Sequence, residues 1–312
     1  MNQELTKKLA PGHTTCAGCG IPAIVRTVLG ATEDPVVVSN ATGCLEVTTT
    51  IHPYTAWKVP YIHSAFENAA ATISGVDAAQ NALYKRRQSA KGGLALGGKA
   101  KLVVFGGDGG TYDIGLQALS GALERGHDFL YVCYDNEGYM NTGGQRSGGT
   151  PFGANTETEP AGEKSFGKSR QRKDLMEIVK AHNIKYLAQA NVAYPQDLAM
   201  KAKKALETKG PSFLLVLQPC TNLWKFPASM YVRYGKLATE TNFWPLYEIE
   251  DGKYKINLNP PAGGKKPKPI EEFLKGQGRF KHLFKAKNKK IIKQIQKTVD
   301  ENWKKLKLVS DI

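Results

Sequence analysis

The chain has 312 residues, of which 41% are hydrophobic and 23% charged, so it is long enough to bury a full core as a globular protein. No apolar run reaches the roughly 18 residues of a membrane span and the first residues form no apolar signal segment, so we expect a cytoplasmic protein that is not bound to a membrane. The formal net charge is +15, but residues 265–312 alone hold 15 Lys and Arg against 5 Asp and Glu, which predicts a basic extension rather than a body that binds nucleic acid.

Short apolar runs alternate with helical patterns along the body of the chain. The apolar runs predict strands, three of which lead into glycine-rich turns or loops, within 35–43, 101–110, 128–145 and 211–220. The 3.6-residue patterns predict helices at 65–87, 113–126, 172–183 and 194–210. A glycine-rich loop is predicted at 89–100.

This alternation predicts a doubly wound, mostly parallel α/β sheet, because strands separated by helices pair in parallel and are buried on both faces. Ligands of such sheets bind at the carboxyl ends of the strands. Polar, glycine-rich segments follow the predicted strands at 41–46, 106–111, 135–145 and 219–224. We therefore expect the functional site at that edge.

One passage rich in Pro, Gly and Lys, 259–272, predicts a boundary between a body (1–260) and a basic C-terminal extension (261–312). The extension contains a second feature, an apolar stripe at helical spacing with lysines on its other face. This pattern predicts a helix that docks on its own body or on a partner subunit. The stripe consists of Ile292, Ile295, Val299, Trp303 and Leu306.

The segment GGDGG at 106–110 ends a predicted strand and opens a helix. Glycines there let backbone N–H groups approach a phosphate, and Asp108 then requires a cation between its carboxylate and that phosphate. Asn136, separated from the G-D-G by the 26 residues 110–135 and lying at the end of the next strand, is the natural second ligand of Mg²⁺. A lone G-D-G would indicate only a tight turn, but G-D-G with an Asn at this distance matches the thiamine-diphosphate motif.

Four of the five cysteines lie in loops or at strand ends, spaced C-x₂-C-x₂₄-C-x₁₇₅-C from Cys16 through Cys19 and Cys44 to Cys220. Cys133 lies within a strand and is predicted to be a core residue. Four thiolates can hold zinc or a [4Fe–4S] cluster, and a redox dithiol is a further alternative. One close pair with two distant single cysteines is less typical of structural zinc, and thiamine diphosphate in the same chain favours the cluster.

With these motifs together, the sequence resembles the β subunit of pyruvate:ferredoxin oxidoreductase, the thiamine-diphosphate subunit of the 2-oxoacid:ferredoxin oxidoreductase family. The resemblance extends from HTTCAGCG near the start to QGRFKHLF at 277–284. It includes NATGCLEVTTTIHPYTAWKVPYIHSAFENAAATISGV, FGGDGGTYDIGLQALSGALERGH and YDNEGYMNTGGQRSGGTPFGA.

The resemblance implies a role for each matching position. It implies a proximal [4Fe–4S] cluster ligated by Cys16, Cys19, Cys44 and Cys220. It implies Mg²⁺ bound by the side chains of Asp108 and Asn136 and by the main-chain carbonyl of Gly138. Asn141 would be the catalytic residue that reaches the substrate and the thiazolium. The positions expected to bind the cofactor are Gly43, Cys44, Phe66, Gly107, Asp108, Gly109, Gly110, Thr111, Asn136, Gly138, Asn141 and Thr142.

The implied activity is oxidative decarboxylation of a 2-oxoacid, with pyruvate giving acetyl-CoA and CO₂ and electrons leaving through the cluster to ferredoxin. The implied partners are ferredoxin, coenzyme A and further subunits of α, γ and δ type, one of which would supply the glutamate that activates the aminopyrimidine. Three alternatives stay open: a related enzyme acting on another 2-oxoacid or on oxalate, a non-oxidative thiamine-diphosphate decarboxylase with structural zinc, and an electron-transfer module that binds no thiamine.

Overall fold

The computed structural model describes residues 7–89, 98–258 and 266–310. Its strands are β1 (Val36–Ala41), β2 (Tyr61–Ser64), β3 (Lys101–Gly107), β4 (Leu130–Asp135), β5 (Tyr186–Asn191), β6 (Ser212–Leu217), β7 (Leu246–Glu250) and β8 (Lys253–Leu258). Its α-helices are α1 (Ile21–Leu29), α2 (Cys44–Thr49), α3 (Ala69–Ser89), α4 (Leu116–Glu124), α5 (Leu175–Lys180), α6 (Pro195–Glu207), α7 (Thr221–Trp224), α8 (Tyr231–Glu240), α9 (Ile270–Leu274) and α10 (Lys289–Val309). Most of the loop predicted at 89–100 and the boundary predicted at residue 260 lie outside the described residues.

The eight strands of the described chain form one sheet in the order β2-β1-β3-β4-β6-β5-β7-β8. The first six pair in parallel, while β7 and β8 add an antiparallel edge. The predicted α/β class with a mostly parallel sheet is confirmed. The sheet reverses its winding between β1 and β3, which is where such folds open a crevice for ligands.

The sheet is buried on both faces, which explains why its central strands are apolar without interruption. Leu102 and Val104 of β3 contribute to one core, and Val103 and Phe105 to the opposite one. Helices α3 and α4 pack together on the first side, and α1 packs against α6 on the second. No described helix is long and apolar enough to cross a bilayer.

The described part of the C-terminal extension, 266–310, packs into the first core. Phe273 and Phe280 are fully buried there, and α10 inserts Ile291, Ile295 and Val299. Helix α10 is thus rotated by about one position from the predicted stripe, so that Ile292, Trp303 and Leu306 are only half-buried. Docking on its own body is observed, and docking of the extension on a partner stays a prediction.

Candidate active site

The predicted site loops follow four adjacent strands of the sheet. Strands β1, β3, β4 and β6 are neighbours, and they end at Ala41, Gly107, Asp135 and Leu217. Because parallel strands end on one side, the segments that carry Cys44, Asp108, Asn136 and Cys220 leave the sheet at a single edge. The structure therefore brings together the strand-end residues that the sequence predicts.

The turn after β3 is wound more widely than an α-helix, and it begins before the helix predicted at 113–126. Asp108 precedes a π-helical turn, Gly109–Ile114, which then continues into α4. A side chain at Gly109 would overlap the ring of Tyr139, and one at Gly110 would come within 3.1 Å of the main-chain oxygen of Phe66. The glycines thus allow close approach of the backbone, as a diphosphate site requires.

The hydroxyl of Thr111 is used inside this turn. It is fully buried and donates to the main-chain oxygen of Gly107 at 2.7 Å. Gly43, another predicted cofactor position, precedes α2, where a side chain would lie 2.8 Å from the hydroxyl of Tyr134. Thr111 therefore shapes the edge through its hydroxyl and Gly43 through its lack of a side chain, and a direct role toward the cofactor stays a prediction for each.

Three potential magnesium ligands converge beyond the turn. One end of the Asn136 amide lies 3.1 Å from Asp108 Oδ1 and 2.8 Å from the main-chain oxygen of Gly138. With nitrogen at that end, the amide donates to both oxygens. With oxygen there, three oxygens face one another, which is favourable only around a cation. Adjacent ligands of an octahedral Mg²⁺ are about 3 Å apart, since each Mg–O distance is 2.0–2.1 Å. These residues fit Mg²⁺.

The electrostatics of Asp108 also suit a cation. The side chain is 1% exposed, and its Oδ2 accepts a very short hydrogen bond from the hydroxyl of Ser147. Burial raises the pKa of the Asp108 carboxyl well above its ordinary value, and the Asp135 carboxylate adds to the rise. A divalent cation would supply the positive charge that this buried carboxylate lacks.

A buried ionic network supports the turn that carries Asn136 and Gly138. Between them, Glu137 adopts a left-handed backbone (φ 69°), and its side chain is fully buried. Its two carboxylate oxygens lie 3.1 Å from Arg172 Nη1 and 2.6 Å from Arg279 Nη2. Arg172 also donates to Asp135 Oδ2 at 2.6 Å. The network directs the Glu137 side chain away from the predicted ligands and fixes the turn.

The four predicted cluster cysteines share one neighbourhood. Burial raises the pKa of the Cys44 thiol to about 12, and the charges of Cys220, Cys19, Cys16 and Asp108 raise it further. Burial likewise raises the pKa of Cys19 to about 12. Across the described residues, no three Cys, His, Asp or Glu side chains form a group ready to hold a metal ion. The thiols are thus neighbours without forming a closed single-ion site.

Hydrogen-bond donors point at the sulfurs, as at iron–sulfur sites. Asn222 Nδ2 donates to Cys16 Sγ at 3.3 Å, and Gln218 Nε2 lies 3.8 Å from Cys19 Sγ. Cys16 is exposed, whereas the other three thiols are half-buried. Cys133 differs from all four: it lies within β4 and is fully buried, as its position in an apolar strand predicts.

Asn141 and Thr142 lie at the exposed tip of the loop after β4. The loop is closed by the hydrogen bond from the Gly144 N–H to the Tyr139 main-chain oxygen at 2.9 Å. The Thr142 hydroxyl donates to Gln145 Oε1 at 2.6 Å, so it holds the loop rather than facing the magnesium ligands. An open cavity of about 420 Å³ lies beside this tip and is lined in part by Tyr139 and Thr142.

Several residues of the site have no counterpart among the sequence predictions. Glu137 and Asp135 had one signal, since two acidic residues beside Asn136 at the end of a buried strand require cationic partners. The partners themselves have no local signal, because they come from segments distant in sequence. They are Arg172 and Arg279. The donors to Asp108 and to the Asn136 carbonyl, Ser147 and Trp224, are likewise distant in sequence.

Residues 41–216 match the family model of the thiamine pyrophosphate enzymes, C-terminal TPP binding domain. Together with the edge geometry, this match defines a thiamine pyrophosphate enzyme. A solved structure of 2-oxoglutarate:ferredoxin oxidoreductase from Magnetococcus marinus shares the fold, with a TM-score of 0.57 and 19% identity over 75% of this chain and 81% of that one.

Curated relatives define the family more narrowly. The chain is 51% identical to pyruvate synthase subunit PorB of Methanocaldococcus jannaschii over 96% of both chains. It is 49% identical to the PorB subunit of Thermotoga maritima, covering 99% of this chain and 95% of that one. It is 45% identical to ketoisovalerate oxidoreductase subunit VorB of Pyrococcus abyssi, covering 96% and 93%. The chain belongs to the β subunits of the pyruvate synthase type in the 2-oxoacid:ferredoxin oxidoreductase family, enzymes built from several subunits.

Proposed function

We propose that this subunit serves the oxidative decarboxylation of pyruvate. The complete reaction converts pyruvate, coenzyme A and two oxidised ferredoxins into acetyl-CoA, CO₂, two reduced ferredoxins and one proton. The observation that carries the proposal is the meeting of the Asp108–Asn136–Gly138 oxygens with four cysteine thiols at one sheet edge. The identity to pyruvate synthase subunits over nearly the whole chain supports pyruvate as the substrate.

In this proposal, Asp108, Asn136 and the Gly138 carbonyl hold Mg²⁺, and the backbone N–H groups of Gly109 and Gly110 face the diphosphate. Thiamine diphosphate, when bound, supplies a carbon nucleophile and an electron sink for decarboxylation. Ser147 donates to Asp108 Oδ2, which leaves Oδ1 directed at the magnesium position. The exposed position of Asn141 lets its amide reach a 2-oxoacid that enters from solvent.

Cys16, Cys19, Cys44 and Cys220 hold the [4Fe–4S] cluster in this proposal, which supplies a one-electron acceptor beside the cofactor. Cys44 and Asp108 follow the adjacent parallel strands β1 and β3 at the same sheet edge, which supports the short separation that electron transfer needs. A glutamate of another subunit completes the site, and the electrons leave to ferredoxin through further subunits.

The substrate is tested with the whole complex, by following ferredoxin or viologen reduction with pyruvate, 2-oxoisovalerate, 2-oxoglutarate and oxalate, each with and without coenzyme A. We expect pyruvate to give the highest kcat/KM and to require coenzyme A. The 45% identity to a ketoisovalerate oxidoreductase subunit supports a branched-chain 2-oxoacid as the second candidate. A higher kcat/KM for 2-oxoisovalerate would reverse this order.

The metal is tested on the same preparation by metal analysis and visible spectroscopy. We expect iron and sulfide, with a broad visible absorption that bleaches on reduction. A colourless complex with zinc bound to this subunit would reject the cluster and favour the non-oxidative decarboxylase. A complex that binds no thiamine diphosphate in the presence of Mg²⁺ would favour an electron-transfer module.

A further inference from the structure

A single helical turn connects the cysteine shell with the magnesium turn. Cys220 caps the start of α7, where its sulfur accepts the Leu223 N–H at 3.4 Å. At the other end of the same turn, the indole N–H of Trp224 donates to the main-chain oxygen of Asn136 at 3.0 Å. One predicted cluster ligand and one predicted magnesium ligand are thus joined through four residues of backbone and one hydrogen bond.

Packing strengthens this connection. A side chain on Gly138 would lie 2.6 Å from Leu223 Cδ2, so α7 rests directly against the magnesium turn. The guanidinium of Arg279 lies 3.9 Å from the centre of the Trp224 ring, on the side chain that bonds Asn136. Trp224 and Arg279 are both buried, at 0% and 1% exposure. The contacts are therefore shielded from water and hold a fixed geometry.

Trp224 and Arg279 contact the part of the turn that orients the predicted magnesium ligands. Trp224 anchors the carbonyl of Asn136, and Arg279 anchors the carboxylate of Glu137 at 2.6 Å. One anchor just before the left-handed residue Glu137 and one on its own side chain leave little freedom to the next carbonyl, that of Gly138. Movement of α7 therefore alters the magnesium ligands without touching their side chains.

We propose that Trp224 is a positioning residue, supported by Arg279, that couples the cysteine shell to magnesium and thiamine-diphosphate binding. Loss of a cysteine ligand releases the start of α7, shifts Trp224 and loosens the magnesium turn. This inference rests on the proposed function, because it takes Cys220 and Asn136 as ligands of two different groups. Because coupling between two sites is reciprocal, binding of Mg²⁺ and thiamine diphosphate stabilises the cysteine shell by as much as the intact shell strengthens that binding.

The test is a double-mutant cycle on the purified whole complex, with Mn²⁺ in place of Mg²⁺ and its affinity measured by EPR in the presence of thiamine diphosphate. Trp224→Phe keeps a ring for Arg279 but removes the N–H. The matched control is Trp244→Phe, since Trp244 is equally buried and donates its N–H to a main-chain oxygen, that of Ala190, at 2.8 Å. Cys220→Ser, or Cys16→Ser if the first does not assemble, removes one cluster ligand.

We expect Trp224→Phe to weaken Mn²⁺ binding about tenfold, as loss of one buried hydrogen bond implies, and Trp244→Phe to change it by less than about twofold. The cysteine variant should weaken Mn²⁺ binding in the wild-type background. In the Trp224→Phe background it should weaken Mn²⁺ binding by less than about a further twofold. If the fold-changes of the two single variants multiply in the double variant, or if Trp224→Phe leaves the Mn²⁺ affinity unchanged, the coupling is overturned and the proposed function is not. Failure of the wild-type complex to bind Mn²⁺ with thiamine diphosphate would instead refute the proposed function and the coupling with it.

Discussion

Replacing Arg279 by methionine should lower the free energy of unfolding by about 3–5 kcal/mol, the cost of removing one partner from a buried ion pair. Glu137 is fully buried, and each of its oxygens faces one arginine, at 2.6 Å for Arg279 and 3.1 Å for Arg172. Methionine fills much of the volume but leaves one oxygen without a cation in a site closed to water. The lost stacking on Trp224 acts in the same direction.

The assay is the apparent melting temperature of the purified complex by scanning calorimetry. For a chain of this size, about 1 kcal/mol corresponds to roughly 2 °C, so the β-subunit transition should fall by roughly 6–10 °C. The matched control is Arg233→Met. Arg233 is 44% exposed and lies 3.5 Å from Glu240, a surface pair worth less than about 1 kcal/mol.

A rescue variant isolates the cause. Glu137→Gln in the Arg279→Met background removes the unpaired negative charge and should recover at least about one third of the lost stability. The reasoning is refuted if Arg279→Met has the same melting temperature as the Arg233→Met control. It is also refuted if Glu137→Gln lowers the melting temperature of the Arg279→Met variant further.

Three further outcomes are expected. Cys220→Ser should remove most of the iron of this subunit, while Cys133→Ala should leave the iron content unchanged; equal losses in metal analysis would contradict the assignment. Asp108→Ala should abolish magnesium-dependent binding of thiamine diphosphate, measured by calorimetry, and binding of wild-type strength would reject Asp108 as a ligand. Burial lowers the pKa of Lys168 from 10.5 to about 8, so the unfolded chain binds more protons between these values. Wild type should therefore gain stability over Lys168→Met as the pH rises through that range, by at most about 1.4 kcal/mol per pH unit, and parallel denaturant-unfolding profiles would disprove it.

The sequence is sufficient to predict which strand-end residues meet at this edge, because the relevant signals are local. Asp108 and Asn136 each follow a strongly apolar run, and parallel strands place such positions at one edge whatever the intervening helices do. The same logic placed Cys44 and Cys220 there. Cys16 is linked to the other predicted cluster ligands only through its C-x₂-C spacing with Cys19, since no predicted strand precedes it.

What the sequence did not reveal depends on the tertiary path of the chain. Helix α1 is an exception, since its six buried residues recur at helical spacing on one face and the sequence therefore did carry a signal for it. The pairing of Glu137 with Arg279 spans 142 positions, and nothing around Arg279 marks it as buried. The π-helical winding after Asp108 likewise has no local signal, and Gly109 packs there directly against the ring of Tyr139.

The late position of Arg279 has a consequence for the order of biosynthesis. All eight strands of the described sheet are complete once residue 258 has left the ribosome, yet Glu137 still lacks one of its two arginines. Chains fold progressively from the N-terminus during synthesis. We expect a chain truncated after the sheet to collapse around its strands but to load the cofactor poorly, so that completion of translation becomes a condition for assembly of a working complex.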